Sequence, residues 1–410
     1  MALLSVEAAL ARILAGVEAV GPETVELFDA AGRVLAEDLP ARLTQPPFDA
    51  SAMDGYAVRA ADVATLPSSL TVIGESAAGH AFEGAIGAGE AVRIFTGAPV
   101  PAGADAIVIQ ENVEGREGST GRPASGTVIR VVDGRPDPDH LRRRGGDFSV
   151  GDVRLAAGRR LTARDVTLAA AMGYARLPVH RRPTIAILAT GDELVPPGET
   201  PRPDQIVSSN PYGLAAMVRA AGGEPRLLGI ARDTRESLDE HIARAADADI
   251  LLTIGGASVG AHDLVVPALA DAGMTLDFWK IAMRPGKPLI FGRRGVQRVV
   301  GLPGNPVSSL ICTRVFVVPL IGLLSGAGIT AAAPQPALLA APIGANGPRS
   351  HYMRATTVSR DGGTRRVAPA PSQDSSLMTP LAAADCLIVR PPGAAPLPAG
   401  EAVEVLDLDF

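Results

Sequence analysis

The residues best suited to chemistry lie between positions 250 and 306. An apolar run at 250–254 leads into a glycine loop at 255–260 that contains Gly255, Gly256 and Ser258. A glycine loop after a strand presents unpaired backbone N–H groups, and such groups bind anions. The loop therefore predicts a binding site for a phosphate or another oxyanion, with Asp263 as a nearby carboxylate.

Three basic residues follow within eight positions: Lys280, Arg284 and Lys287. Lys280 and Lys287 are the two lysines of the chain, and all the others of its 38 basic residues are arginine. Lysine is a compact point charge, whereas arginine is a planar fork. Lysine at these positions therefore indicates a need for a point charge, with coincidence as the alternative.

Several carboxylates are predicted to lie in loops or at strand ends: Asp54, Asp147, Asp192, Glu193, Asp233 and Asp263. Beside a phosphate, carboxylate oxygens are ligands that suit Mg²⁺. Such a set would support metal-assisted transfer or cleavage at a phosphoanhydride. For each carboxylate taken alone, a purely structural role explains its position as well as metal binding does. Asp233 could cap a helix, Asp263 could begin one, and Asp192 and Glu193 could be turn residues. The hypothesis depends on the loops converging.

Composition excludes other classes. The chain has 410 residues, 47% of them hydrophobic, which predicts several globular domains. A net charge of −6 and an aromatic content of 3% argue against nucleic-acid binding. Two isolated cysteines indicate a reducing compartment. We expect a cytoplasmic protein without a membrane span, because the N-terminus lacks a signal-peptide core and the most apolar stretch, 315–324, is short and contains Pro319.

Strands and helices alternate from position 183 onward. Strands are predicted at 184–188, 225–230 and 249–254, with helices from Asn210-Pro211, from Asp233 to about position 246, at 264–270 and from Asn305-Pro306. This alternation predicts a mostly parallel, layered sheet that binds ligands outside the carboxyl ends of its strands. The loops at 190–193, 255–260 and 301–306 should then line one crevice.

The flanking regions are predicted to differ from this pattern. Helices are expected at 5–20, capped by Ser5, and at 162–173, capped by Thr162. Residues 57–135 are β-rich, with Thr96 in a loop that could be an ordinary turn. The three arginines at 142–144 could be a solvated surface or an anion clamp with Asp147. Residues 330–410 are predicted to form a small β domain.

Seven motifs in this order resemble the molybdopterin molybdenumtransferase family, which comprises the MoeA proteins and the matching domain of gephyrin. They are Ser51-Ala52-Met53-Asp54-Gly55-Tyr56-Ala57-Val58, Phe95-Thr96-Gly97-Ala98-Pro99-Val100-Pro101, Arg142-Arg143-Arg144-Gly145-Gly146-Asp147, Thr190-Gly191-Asp192-Glu193-Leu194, Gly255-Gly256-Ala257-Ser258-Val259-Gly260, Arg284-Pro285-Gly286-Lys287-Pro288 and Gly301-Leu302-Pro303-Gly304-Asn305-Pro306. Each motif is weak alone, but the ordered set is specific.

The resemblance implies a multidomain fold of α/β plus β class. Its parts would be an elongated α+β dimerisation segment (1–53 and 139–181), an inserted β domain (54–138), a MogA-like α/β layered domain that binds molybdopterin (182–328) and a small C-terminal β domain (329–410). The implied activity is the last step of molybdenum cofactor synthesis. Molybdenum from molybdate enters adenylylated molybdopterin, AMP is released, and Mg²⁺ assists. The implied assembly is a homodimer with its active site at the subunit interface. The implied source of its substrate is a molybdopterin adenylyltransferase.

The resemblance also carries residues over by position. The implied catalytic set is Asp54, Thr96, Asp147, Glu193, Asp233, Asp263, Lys280 and Arg284. Gly255, Gly256, Ser258, Lys287, Pro303 and Pro306 are implied to bind substrate. Our hypotheses for roles are that Glu193, Asp233 and Asp263 bind Mg²⁺ or orient water, that Lys280, Arg284 and Lys287 hold molybdate or the terminal phosphate, and that Asp54, Thr96 and Asp147 come from the partner subunit.

Three positions depart from the family pattern. Arg284 stands where lysine is familiar, Gly146 replaces a commonly acidic residue, and Ser208-Ser209-Asn210 stands where Asp-Ser-Asn is usual. Two rival functions rank lower: a molybdopterin-binding or adenylylating protein that needs the α/β domain alone, and a scaffold related to gephyrin. Molybdate and tungstate are dianions of nearly equal size, which the sequence does not separate.

Overall fold

The structure is a computed structural model that describes residues 3–115, 125–133, 135–256, 264–329, 333–408 and 410. Two predicted site residues, Ser258 and Asp263, lie outside the described residues together with the rest of the 257–263 segment.

Eight α-helical segments occur in the described parts of the chain. They are α1 (Val6–Leu14), α2 (Ala163–Ala171), α3 (Asn210–Ala221), α4 (Arg235–Arg244), α5 (Val265–Asp271), α6 (Pro306–Cys312), α7 (Val318–Leu324) and α8 (Met378–Ala382). Two predicted caps are confirmed. Ser5 Oγ accepts a hydrogen bond from Ala8 N at 3.1 Å, and Thr162 forms a reciprocal capping box with Asp165.

Other predicted helix ends were wrong. The first helix ends at Leu14 rather than near position 20, because Gly16 turns the backbone to a φ of +63°. Thr234, not Asp233, caps α4, since its side chain accepts from Ser237 N at 3.3 Å. Asn210 is the first residue of α3 rather than its cap. Asp233 and Asn210 are therefore available for other contacts.

Twelve strands lie in the described residues before position 181. They are β1 (Pro22–Glu26), β2 (Leu39–Pro40), β3 (Ala50–Ser51), β4 (Gly55–Val58), β5 (Ser68–Ser76), β6 (Glu90–Ile94), β7 (Ala106–Ile109), β8 (Val113–Glu114), β9 (Val128–Val131), β10 (Leu141–Arg142), β11 (Val153–Leu155) and β12 (Arg176–His180). The order β7-β4-β6-β5-β9-β8 forms one six-stranded sheet. The antiparallel pairs β1–β12, β2–β11 and β3–β10 join the first fifty residues to residues 141–180.

The next nine strands include the six of the α/β sheet. They are β13 (Thr184–Thr190), β14 (Leu194–Val195), β15 (Ile206–Val207), β16 (Glu224–Ala231), β17 (Ile250–Ile254), β18 (Thr275–Lys280), β19 (Met283–Arg284), β20 (Pro288–Arg294) and β21 (Gln297–Leu302). The sheet order is β16-β13-β17-β21-β20-β18, and the first four strands run parallel. The predicted mostly parallel, layered sheet is confirmed.

Helices cover both faces of this sheet. On β13, Ile185 and Ile187 face a core that includes residues of α3, α6 and α7, whereas Ala186 and Leu188 face a core with residues of α4 and α5. This alternation follows from the period of two along a strand. All four side chains are fully buried. Burying each of the two isoleucines contributes about 1.5–3 kcal/mol.

The C-terminal strands form a separate sheet. They are β22 (Gln335–Leu339), β23 (Ser350–Asp361), β24 (Thr364–Pro369), β25 (Cys386–Arg390) and β26 (Ala402–Asp407). The order β23-β24-β22-β26-β25 is closed into a barrel because β25 also pairs with β23. The short strand β19 pairs with β23, and this links the barrel to the α/β sheet.

One helical run in the described residues is long and apolar enough to cross a membrane. It covers Pro306–Leu324, 19 residues with a mean hydropathy of 2.1, and is longer than the stretch expected from the sequence. In the structure 83% of its most apolar window is buried inside the protein. Core helices have the same composition and burial, so this run is weak evidence for a membrane span.

Candidate active site

A crevice of about 660 Å³ opens at the carboxyl ends of β13, β17 and β21. Glu193, Gly255, Gly256, Pro303 and Pro306 line it, as predicted from the order of strands and loops. It lies at a topological switch point, since the chain passes from β13 to β16 on one side and then to β17 on the other. The described parts of the three loops predicted to converge, which for the glycine loop are Gly255 and Gly256, line this one crevice.

Gly255 and Gly256 are the described residues of the predicted anion-binding loop. Gly255 has a φ of +94°, and a Cβ atom there would lie 2.7 Å from Thr190 O, so glycine is required. Its N–H, however, donates to Leu302 O at 3.2 Å and is not free for a ligand. Gly256 lines the crevice with a φ of +58°.

The loop at 303–306 is held from two sides. Asn210 Nδ2 donates to Gly304 O at 2.7 Å, and Asn305 Nδ2 donates to Ser375 Oγ at 2.9 Å. Ser309 Oγ also donates to Pro303 O. Pro306 begins α6, where its missing N–H costs nothing. Pro303 and Pro306 are therefore fixed walls of the crevice.

Glu193 and Asp233 lie on two loops that are bonded together. Arg232 Nη1 donates to Asp192 O at 3.1 Å and to Leu194 O at 3.2 Å, while Asp233 N donates to Asp192 Oδ1 at 3.2 Å. A Cβ atom on Gly191 would lie 2.3 Å from a carboxylate oxygen of Glu193, so the carboxylate occupies space that only glycine leaves open. These contacts bring two predicted carboxylates to the same corner of the sheet.

Three residues bring positive charge to the same edge. Lys280 ends β18 and pairs in register with Pro288, which lines the crevice. Lys280 Nζ lies 4.5 Å from the ring centroid of Trp279, and Ile281 N donates to Lys287 O at 3.1 Å. Arg284 and Lys287 are exposed. None of the three cations forms an ion pair with a residue that the structure describes.

The turn between Arg284 and Lys287 depends on close packing. Gly286 has a φ of +107°, and a Cβ atom there would lie 2.4 Å from the sulfur of Cys312. Burial raises the pKa of the Cys312 thiol to about 12, so this sulfur stays neutral. On the neighbouring strand, burial and the charges of Arg284 and other arginines lower the pKa of His351 to about 4. His351 therefore adds no positive charge near neutral pH.

The C-terminal barrel supplies a wall that the sequence did not indicate. Ser376 and Met378 line the crevice. The loop before them is held by Arg354, which is 1% exposed and donates to the carbonyl oxygens of Ser372, Asp374 and Leu377 at 3.0, 2.9 and 2.9 Å. A polar loop between predicted strands gave no indication of this role.

Asp54 and Thr96 belong to a second cluster. Asp54 Oδ1 accepts hydrogen bonds from Thr96 N at 2.8 Å and Thr96 Oγ1 at 2.9 Å. These bonds, with the charge of Arg93, hold the pKa of Asp54 below its ordinary value. The Thr96 loop is thus more than a simple turn, because it fixes a carboxylate.

The strand that leads into the Asp147 loop pairs with the strand just before Asp54. Strand β10 pairs with β3, and Ser51 O accepts from Gly97 N at 2.8 Å. The adjacent arginines hold this loop to Asp49. Arg143 donates to the Asp49 carboxylate at 2.9 Å, and Arg144 N donates to it at 2.7 Å. Asp147 is exposed.

No hydrogen bond or ion pair between described residues connects this second cluster with the crevice. The family resemblance implied that both sets serve one active site, with Asp54, Thr96 and Asp147 supplied by the partner subunit. Within a single chain Glu193 and the proline loop line the crevice, Asp233 is bonded to the loop of Glu193, and Lys280 pairs with Pro288 of the lining. Asp54 and Thr96 are bonded to each other elsewhere.

Comparison with known proteins assigns the three parts of the chain. Residues 4–173 match the MoeA N-terminal region (domain I and II), residues 186–322 match a probable molybdopterin binding domain, and residues 336–408 match the MoeA C-terminal region (domain IV). A molybdopterin molybdenumtransferase of Nostoc sp. is 40% identical over 312 residues, 74% of this chain and 70% of that protein. The chain belongs to the MoeA family.

Two further relatives of this MoeA-family chain extend the match to its full length. Molybdopterin molybdenumtransferase 1 of Mycobacterium tuberculosis is 34% identical over 98% of both chains. The crystal structure of a molybdopterin biosynthesis MoeA protein from Pyrococcus horikoshii superposes with a TM-score of 0.84 at 31% identity and covers 100% of each chain. The multidomain fold of α/β plus β class is therefore confirmed.

Proposed function

We propose that this MoeA-family chain transfers molybdenum from molybdate to molybdopterin in the synthesis of the molybdenum cofactor. The observation that carries the proposal is the crevice at the strand ends, with carboxylates at one corner and three cations at the same sheet edge. It lies within the part of the chain that matches a molybdopterin binding domain. The relatives that share its length are named molybdopterin molybdenumtransferases.

The proposed substrate is adenylylated molybdopterin, and AMP is the proposed product. Lys280, Arg284 and Lys287 would hold molybdate and phosphate oxygens, because none of their charges is neutralised by a described residue. Two unit charges 4 Å apart attract by about 4 kcal/mol at an effective dielectric constant of about 20. A doubly charged oxyanion gains more, so even partly exposed cations would concentrate it in the crevice.

Glu193 and Asp233 are the proposed Mg²⁺ ligands, with Asp263 as a third. Within the described residues no group of three acidic, histidine or cysteine side chains could hold a metal. Two carboxylates nevertheless fit, because Mg²⁺ is usually held by one or two carboxylates together with phosphates and water. When bound, the ion would neutralise charge on the phosphates. The chain's own part is to hold Glu193 and Asp233 together through Arg232 and Asp192.

Asp54, Thr96 and Asp147 are proposed to complete the crevice of a partner subunit in a homodimer. Their separation from the chain's own crevice supports this arrangement. Exposed apolar side chains on the same segment also support it, because interfaces between subunits bury such side chains. Leu43, Phe48, Met53, Val150 and Val153 are between 39% and 63% exposed. A molybdopterin adenylyltransferase is the proposed source of substrate, and the two buried, unpaired cysteines suit a reducing cytoplasm.

The test supplies purified protein with adenylylated molybdopterin, molybdate and Mg²⁺. We expect release of AMP and formation of active cofactor. Both should be lost in Asp263→Ala and in Glu193→Gln. Both should be kept in the control variant Glu224→Gln, whose carboxylate lies at the start of β16, the end away from the crevice. Full turnover by the Asp263→Ala, Lys280→Ala pair would overturn the site assignment.

A further inference from the structure

A second cavity, of about 360 Å³, lies beside the crevice and has no role in the function proposed so far. We call it the side pocket. Its floor is Ile187, its walls are Pro196, Pro197, Tyr212 and Leu227, and Glu199 and Arg232 also line it. Ser208 and Pro211 line both cavities, so the side pocket and the crevice are neighbours that share part of one wall.

We propose that the side pocket binds the pterin ring system of molybdopterin while the phosphate end of the same molecule lies in the crevice. This inference rests on the proposed function and assigns one of its substrate's parts to a place. The comparisons assign molybdopterin binding to residues 186–322 as a whole, without a location for the ring.

The apolar part of the side pocket suits a flat ring. Tyr212 is 52% exposed and Leu227 is 41% exposed, although both line a concave cavity rather than an open surface. Large apolar side chains exposed inside a concavity are typical of small-molecule sites. A tyrosine beside two prolines offers rigid surfaces that lose little conformational entropy on binding a planar heterocycle. The side pocket is therefore built for a ring rather than for a flexible chain.

The charged part distinguishes a pterin from an adenine. Glu199 and Arg232 line the same cavity, yet they form no ion pair with each other or with another described residue. A pterin presents an amino group and an adjacent ring N–H, two neighbouring donors that match the two oxygens of a carboxylate, and a ring carbonyl that accepts from a guanidinium. Adenine alternates donor and acceptor on its corresponding edge and cannot donate twice to one carboxylate. The charges favour the pterin.

Arg232 connects the side pocket with the carboxylates of the crevice. Its Nη1 atom is already bonded to Asp192 O and Leu194 O, which leaves its other N–H groups for a ligand. The next residue is Asp233, a proposed metal ligand. A ring held at Glu199 and Arg232 would therefore place the attached phosphate beside the carboxylate corner of the crevice.

The experiment titrates the full chain with free pterin and follows the intrinsic fluorescence of the ring. The variants are Glu199→Gln and Tyr212→Ala, with Tyr212→Phe as the conservative partner and Glu224→Gln as the matched control. We expect Glu199→Gln and Tyr212→Ala to raise the Kd for pterin roughly ten- to a hundredfold, the loss typical of charge-assisted hydrogen bonds and ring contacts. Tyr212→Phe and Glu224→Gln should bind as the parent protein does.

A second arm uses AMP. AMP should not displace pterin from the parent protein, and its own affinity should be unchanged in Glu199→Gln. An unchanged pterin Kd in Glu199→Gln, or loss of AMP binding in place of pterin binding, would overturn the inference. In the cofactor assay the two variants should raise the KM for adenylylated molybdopterin while kcat is retained. If the parent protein has no transferase activity, the proposed function fails, whereas normal activity and KM in the variants would refute the side pocket alone.

Discussion

The crevice and the Asp54 cluster hold their polar groups in different ways. The crevice is built on the ends of buried parallel strands, so the positions of Glu193, Gly255 and Pro303 follow from the sheet. The Asp54 cluster consists of exposed loops from three distant parts of the chain, held by local bonds such as that between Thr96 N and Asp54. The described walls of the crevice are therefore set within a single chain, whereas the cluster acquires its proposed role only when a partner subunit is present.

The largest effect should come from removing a cation beside the crevice. We expect Lys280→Ala to lower kcat/KM by about 10²–10³, the cost typical of removing one group that stabilises developing charge. The stability of the variant should change little, since Lys280 is half-buried and has no described ion-pair partner. Steady-state AMP release together with urea unfolding measures both quantities. An activity within twofold of the parent would place the oxyanion elsewhere.

The next effect concerns the wall from the C-terminal barrel. Arg354→Met keeps much of the side-chain volume but removes the donors to the carbonyl oxygens of Ser372, Asp374 and Leu377. We expect the free energy of unfolding to fall by about 2–4 kcal/mol, because these carbonyls would lose charge-assisted partners. Chemical denaturation measures the loss. An exposed control, Arg360→Met, should change stability by less than about 0.5 kcal/mol.

The crevice was predictable because its causes are local and repetitive. Strand runs, helix caps and the alternation of elements place three loops at one sheet edge whatever the details of packing. Individual side-chain contacts were harder to predict from the sequence. The sequence predicted Asp233 as a helix cap, but Thr234 occupies the cap position. Asp233 instead donates its backbone N–H to Asp192. The wall from the barrel was not foreseeable, because a buried arginine with three carbonyl partners has no sequence pattern.

A mixed dimer would separate the two regions directly. Asp54→Asn and Lys280→Ala should each be inactive alone if both groups serve one site. In a mixture of both variants, a heterodimer would carry two defects in one site and none in the other. With random pairing, activity should return to about a quarter of the parent value, because half of the dimers have one intact site.

The measurement needs subunit exchange or co-expression with two affinity tags, followed by the AMP-release assay. Mixing Lys280→Ala with Glu193→Gln is the control, since both belong to the same crevice and no dimer would contain an intact site. Equal recovery in both mixtures, or none in the first, would contradict a site shared between subunits.

The smallest effect concerns the pH dependence of the Asp54 cluster. The backbone N–H of Thr96 is the main cause of the lowered pKa of Asp54, and the Thr96 hydroxyl is the next. A carboxylate whose pKa is lower in the folded state contributes stability above its unfolded pKa, and the contribution is lost as the pH falls through the folded pKa. Thr96→Val removes the hydroxyl bond and keeps the N–H bond. We therefore expect Thr96→Val to be slightly less stable than the parent at pH 7 and to approach it below pH about 4, near the unfolded pKa of an aspartate. Urea unfolding from pH 7 to 3 measures the difference, with Thr96→Ser retaining the parent profile. A gap that stays constant over this range would mean that the hydroxyl stabilises the loop without acting on the charge of Asp54.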